Sequence, residues 1–250
     1  MLDKVEGIVL REVNYGDTSK IIEVFTLKYG LISLIAKGSR KLKSNISYSS
    51  NKLSYGVFNI FYKKSKISNL NSVDIINNFS NIKKDIFKIS YASYLCDLVF
   101  QVVKQVNNEN FEDIYSLFVS SLKKINEDFD YLVITNIFEV KMLDFLGVTL
   151  TLDKCSKCNS LVNIATISDD YNGLLCSKCL TNEKIYDLKV IKYLRMYYYL
   201  DIDKISKIDI SNKIKNEIDD FLTDYYNKNT GIYLNSKKFL KDINKIKGVM

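Results

Sequence analysis

The sequence predicts an α+β protein: a small N-terminal β-barrel, then a mainly α-helical domain carrying an inserted four-cysteine module. Three observations lead there. Five of the nine glycines (Gly7, Gly16, Gly30, Gly38, Gly56) fall within the first 60 residues and separate short β-branched and aromatic runs. After Asn78 the apolar spacing changes from strand-like to helical. Four of the five cysteines form two C-x-x-C pairs, Cys155/Cys158 and Cys176/Cys179, with 17 residues between them.

The strand runs are Gly7–Val13, Lys20–Leu27, Leu31–Ala36, Gly56–Tyr62 and Lys66–Ile76. Tyr29-Gly30 marks a tight turn, so the second and third runs are expected to form a hairpin. In Lys20–Leu27, Ile22, Val24 and Thr26 alternate with Ile21, Glu23 and Phe25, which suits a strand partly covered on both faces. Five short strands in roughly 75 residues fit a small closed barrel; the oligonucleotide/oligosaccharide-binding (OB) fold is the commonest of that size, and an SH3-like barrel fits almost as well. The barrel is assigned to residues 1–80 and the helical domain to 81–250, with the cysteine module at about 153–181.

Helical periodicity is clearest in Asn110–Asn126, where Ile114, Leu117, Phe118, Ser121, Leu122 and Ile125 make one stripe. Tyr91–Val106 and Tyr131–Leu146 are apolar on nearly all sides and read as buried helices; Gly147 stands where a C-terminal cap glycine belongs. Ile214, Ile218, Phe221, Leu222 and Tyr225 form a further stripe with Ser211 as its N-cap.

The cysteine spacing is that of a structural zinc site, two knuckles closing a tetrahedron of thiolates around one ion. The chain has no histidine, and four sulfurs leave no open coordination position, so such a metal builds structure and performs no chemistry. A redox pair of pairs is the alternative. The intervening LVNIATISDDYNGLL segment has the length of a hairpin, with Asp169-Asp170 and Asn172-Gly173 near its turn. Lys154, Lys157 and Lys178 flank the thiols. Cys96 lies in an apolar helix and reads as a small core residue.

Charge is segregated. The chain carries a net +7; residues 1–80 hold 12 Lys/Arg against 6 Asp/Glu, and the remainder 24 against 23. That asymmetry suggests a polyanion-binding module joined to a near-neutral one. Lys37, Arg40, Lys41 and Lys43 fall within seven residues of a serine-rich loop, a composition that neutralises phosphates without reading sequence. Tyr29, Tyr48, Tyr55, Phe58, Phe61 and Tyr62 are nearby; some could stack bases, although a barrel this small needs most of them inside. No histidine is present for general-base work, and no Walker A or G-x-G-x-x-G run occurs, so the familiar catalytic arrangements are missing; a nuclease built on scattered carboxylates stays open. No stretch reaches about 18 apolar residues, and the amino terminus lacks a signal-peptide pattern, so no membrane association and a cytoplasmic location are expected. The absence of proline and tryptophan reads as genome composition.

Several motifs resemble the bacterial recombination-mediator and DNA-repair family RecO. Residues 6–44, EGIVLREVNYGDTSKIIEVFTLKYGLISLIAKGSRKLKS, are similar to that family's opening, with its Y-G-[ED] turn, its T-x-x-x-G hairpin and its A-K-G-x-R-K-x-K-S basic loop. The helix FEVKMLDFLG (138–147) and the motifs Leu152-Asp153-x-Cys155-x-x-Cys158 and Asn172-Gly173-Leu174-Leu175-Cys176-x-x-Cys179 resemble the family's zinc module and the helix leading into it. Two departures stand out: a usual proline is missing from Val148–Thr151, and Asn159 replaces a frequent glycine. The resemblance implies a non-enzymatic, nucleoid-associated protein with one structural zinc ion. It implies binding to single- and double-stranded DNA and annealing of complementary strands. It also implies partnership with RecR and with the C-terminal tail of single-stranded-DNA-binding protein (SSB), and help in loading the recombinase RecA. By match to the basic-loop motif, Lys37, Arg40, Lys41 and Lys43 are the DNA-contact candidates. Arg11 and Lys20 are further candidates from charge and strand position. The rival classes are a zinc-ribbon RNA-binding or transcription factor and a metal-dependent nuclease.

Overall fold

The computed structural model describes residues 2–106 and 111–247. By internal contacts the chain divides into two compact units, Met1–Glu127 with Leu234–Met250, and Asp128–Tyr233.

The first unit is built on five strands: β1 (Leu2–Tyr15), β2 (Ser19–Thr26), β3 (Gly30–Ala36), β4 (Tyr55–Phe61) and β5 (Ser68–Asn77). They close into a barrel in the order β1-β2-β3-β5-β4, with β1 returning to pair with β4. Every pairing is antiparallel except β3 with β5, where Leu34 and Ile35 lie beside Ser68 and Asn69. This is an OB-like barrel. Its interior is the alternating set Val5, Val9, Ile22, Val24, Ile32, Leu34, Phe58, Ile60 and Leu70. The mixed alternation of β2 has a physical cause. Ile22 and Val24 fill the barrel, while Phe25 on the opposite face is buried in edge-on contact with Phe111 and Tyr115.

Four helices complete this unit: α1 (Ser80–Lys84), α2 (Ile86–Gln105), α3 (Phe111–Asn126) and, from the end of the chain, α7 (Asn235–Lys247). Helix α2 starts earlier than the sequence suggests, because the Asp85 carboxylate caps it by accepting the backbone N–H groups of Phe87 and Lys88. It is long and apolar enough to cross a membrane, yet most of it is buried in the fold, as a core helix is. Cys96 is fully buried there; burial pushes its thiol up to about 12, so it is inert packing. On α3 the predicted stripe is inward at Ile114, Phe118, Ser121, Leu122 and Ile125, which are buried, while Leu117 at its margin is half-buried. Asn110, where the sequence begins that helix, lies outside the described residues.

The second unit contains α4 (Tyr131–Phe145), the hairpin β6 (Ile164–Ser168) and β7 (Gly173–Cys176), α5 (Leu188–Tyr199) and α6 (Asn212–Asn229). Helix α4 is buried along almost its whole length. It ends as predicted: Gly147 has φ of 72°, the Gly147 N–H donates to the Asp144 carbonyl, and the Val148 N–H to that of Leu143. Ser211 occupies the N-cap of α6, without a side-chain bond to the helix. The sequence stripe on α6 is the buried one, with Ile214, Ile218, Phe221, Leu222 and Tyr225 inward.

Candidate metal centre and candidate nucleic-acid interface

The four cysteines converge. Their Sγ atoms lie within 4.8 Å of one another, and the Cys158 and Cys176 sulfurs are 3.6 Å apart. Tetrahedral sulfurs about 2.3 Å from a central ion sit roughly 3.8 Å from each other, so the quartet has the size of a metal cage. Cys155 and Cys176 are buried, Cys179 is partly buried and Cys158 is exposed. The backbone builds this arrangement. The hairpin β6–β7 delivers Cys176 at the end of β7, opposite Ile164. The first knuckle folds back through Cys155 N–H to the Ser160 carbonyl and Asn159 N–H to the Cys155 carbonyl, both 2.8 Å. The two knuckles are tied by Ser156 N–H to the Leu174 carbonyl and by Cys176 N–H to the Cys155 sulfur.

Both departures from the family pattern meet the backbone here. Asn159 has φ of 59°, the left-handed region that glycine and asparagine tolerate best. Thr151, in the stretch without the usual proline, makes a bridge to Gly173. A Cβ on Gly173 would come 2.3 Å from the Thr151 carbonyl, so only glycine lets the strands approach this closely.

Electrostatics favour a bound cation. Burial pushes the Cys155 thiol up, but donors on the backbone of Cys176, Cys158 and Lys157 outweigh it and bring the thiol down to about 6. Its neighbour Cys179 is held up to about 12, first by its hydrogen bond with Cys158 and then by burial. Four thiolates this close repel one another strongly, and only a central cation lets all four ionise. Lys157 does not point its charge into the cage; its Nζ donates to the Tyr171 hydroxyl and sits 4.6 Å from that ring's centre.

The basic loop is an ordered surface on the barrel. After β3, Lys37, Arg40, Lys41 and Lys43 are all exposed, as is Leu42 between them. The loop is anchored to the β1–β2 turn: Arg40 N–H donates to the Thr18 carbonyl at 2.8 Å, and the Arg40 guanidinium to the Gly16 carbonyl at 3.2 Å. Farther on, Lys52 pins the same connection to α2 through the Ser93 carbonyl and the Asp97 carboxylate.

Arg11 and Lys20 are placed differently from these four. The Arg11 guanidinium lies 3.8 Å from the Phe100 ring centre, with its Nε 3.7 Å from Asp97. The Lys20 Nζ bonds Glu12 and Asn51. Both cations are engaged with groups of the unit itself and are less exposed than the four loop residues. Of the six aromatics, Tyr55 and Phe58 are buried, Tyr29 and Tyr62 stack on each other at 4.0 Å, and Tyr48 and Phe61 are exposed.

Sequence reasoning passed over Lys63, Lys64 and Lys66. They are exposed in the β4–β5 turn, immediately before the residues of β5 that pair with Leu34 and Ile35 of β3. OB folds use the β2–β3 face together with the β1–β2 and β4–β5 loops to hold oligonucleotides. The signal was present, three lysines in four residues between two strands, but it needed the barrel's strand order to gain meaning.

The protein is thus of the class that joins a five-stranded, OB-like barrel with a cationic rim to a helical part carrying a cluster of four cysteines able to hold a metal. The family models described as "Recombination protein O N terminal" and "Recombination protein O C terminal" match residues 1–79 and 83–238. The chain is 32% identical over 248 residues to the DNA repair protein RecO of Listeria welshimeri, covering 98% of this chain and 96% of that one. It is likewise 32% identical to those of Halalkalibacterium halodurans (97% and 96% covered) and Bacillus pumilus (100% and 98% covered). The chain belongs to the RecO family, and its role lies in DNA repair and recombination.

Proposed function

We propose that the chain is a non-enzymatic recombination mediator. Its barrel binds single- and double-stranded DNA and brings complementary strands together. With RecR it acts on strands coated by SSB, whose C-terminal tail it engages, and helps RecA load. A cytoplasmic, nucleoid-associated location goes with that role. One observation carries the reading: Lys37, Arg40, Lys41 and Lys43 are exposed together on a loop anchored to the β1–β2 turn of an OB-like barrel. Strands repel one another through their phosphates, and cations that neutralise both lower that repulsion and release counterions. The three lysines of the β4–β5 turn extend the surface, with Arg11 and Lys20, each paired to a carboxylate, as weaker contacts.

In the second unit, Cys155, Cys158, Cys176 and Cys179 hold one zinc ion in this proposal. The ion supplies a fourfold cross-link, and the polypeptide supplies the knuckle geometry. Chelation should lower the melting temperature of the protein before it weakens DNA affinity, and elemental analysis should return one zinc per chain.

The function is tested by annealing complementary oligonucleotides with and without SSB, in the absence of any nucleotide cofactor. Accelerated duplex formation on both bare and coated strands supports the proposal. Tighter binding to RNA than to DNA of equal length favours the RNA-binding class instead, and magnesium-dependent strand cleavage a nuclease.

A further inference from the structure

The last helix alters the charge balance read along the sequence. Residues 235–247 contain five lysines and one aspartate, and α7 folds into the same unit as the barrel. That unit therefore holds 23 Lys/Arg against 13 Asp/Glu, and the second unit 13 against 16. The positive charge is gathered in space more completely than in sequence.

Helix α7 has two distinct faces. Leu240 and Ile243 are buried, and the Asn244 side chain donates to the Tyr91 hydroxyl of α2 at 2.7 Å. Lys237 lies over the Tyr94 ring of the same helix. On the outer side Lys238, Lys241 and Lys245 are exposed, spaced i, i+3 and i+7, which makes one stripe about 10 Å long. Phe239 is 54% exposed on a flank of the helix, away from that stripe. Lys245 pairs with Asp242 at the surface, an interaction a phosphate can replace at little cost.

The position of α7 on α2 separates it from the basic loop. The connection carrying the loop reaches α2 at Ser93 and Asp97, and Arg11 reaches it at Phe100. Helix α7 reaches it at Tyr91 and Tyr94. At 100° per residue these two sets of positions lie about 120° apart around a helix some 10 Å across. The two sets of contacts thus lie on different sides of α2.

We propose that the outer face of α7 is a second phosphate-binding surface, which holds one nucleic-acid strand while the barrel rim holds another. This rests on the DNA-binding reading of the barrel and deepens it: annealing needs two strands held at once, each with its own countercharge. Lysines at the three exposed positions supply the phosphate contacts. A membrane surface is the other polyanion a basic amphipathic helix could meet. It is disfavoured here because the apolar face that would enter lipid is already packed on α2.

The test uses the full chain and two non-complementary oligonucleotides carrying donor and acceptor dyes. The first strand is bound to saturation, and the second is titrated in while energy transfer is read. Wild-type protein should show two phases. Lys238→Gln/Lys241→Gln/Lys245→Gln should weaken the second phase at least tenfold, lower its salt slope by about 2, and leave first-strand affinity within about twofold. Arginine at the same three positions should keep both phases, which separates charge from folding. Equal second-strand capture by the glutamine variant overturns the proposal, as does equal weakening of both phases, the mark of one continuous site. Co-sedimentation with phosphatidylserine vesicles that the glutamine variant alone loses, with its second phase intact, assigns the helix to lipid and overturns it too. Wild-type protein that binds neither strand removes the DNA-binding reading itself.

Discussion

Asn159 shows how one backbone angle decides a residue. It follows the second cysteine of the first knuckle with φ of 59°, and its N–H closes the turn onto the Cys155 carbonyl. Asparagine enters the left-handed region at modest cost, and a β-branched residue does not. Asn159→Gly should leave urea unfolding of the metal-loaded protein within a few tenths of a kcal/mol, whereas Asn159→Val should cost about 1–2 kcal/mol. Asp3 is a second case. Its carboxylate accepts from Lys28 Nζ at 2.6 Å and from the Tyr29 hydroxyl at 2.5 Å, and these two bonds, Lys28 first, bring its pKa from 3.8 to about 2. A depressed carboxylate favours the folded state above its ordinary pKa and loses that contribution as it protonates. The stabilisation is full above about pH 4 and gone near pH 2. In melts over that range, Asp3→Asn should fall below wild type at pH 5 and converge with it at pH 2. A gap that stays constant with pH would mean that the ion pair is not the cause.

At the scale of elements, the hydrophobic pattern carried most of the fold. Strand alternation marked β2, the Tyr29-Gly30 turn marked its hairpin with β3, all-round apolarity marked α2 and α4, and Gly147 marked the end of α4. The pattern was weakest where tertiary contact decides the outcome. Strand β1 runs from Leu2 to Tyr15, well beyond the apolar stretch Gly7–Val13, because its polar ends are held by pairing with β4 and β2. Helix α7 is mainly polar and helix α5 mixes tyrosines with basic residues; both gain their place from packing, Val190, Ile191 and Leu194 in α5 and Leu240 and Ile243 in α7. The cysteine quartet was fully legible, since thiolate spacing is a local code. The cationic rim was legible only in part: Lys37, Arg40, Lys41 and Lys43 form a visible run, but the pairing of Arg11 and Lys20 depends on Phe100, Asp97, Glu12 and Asn51, which a linear reading cannot place beside them. The β4–β5 turn gives the corresponding prediction. Replacing Lys63, Lys64 and Lys66 with alanine should reduce the salt slope of single-strand binding by about 2, with little change in melting temperature. An unaltered slope would confine the interface to the basic loop.

Over the whole molecule the two units divide two tasks. The first gathers cations on a barrel and on the last helix; the second, with a slight excess of acid, encloses the cluster of four cysteines. Nothing in that division requires the metal near the nucleic acid, and the central claim is that phosphate neutralisation by the barrel rim drives binding. The most direct measurement is the affinity for a single-stranded oligonucleotide as a function of salt. For engagement of about five phosphates, log K should fall with a slope of roughly −3.5 against log salt, and exchanging Lys37, Arg40, Lys41 and Lys43 for alanine should make the slope shallower by 2 to 3. A variant that keeps the wild-type slope and affinity would contradict the account.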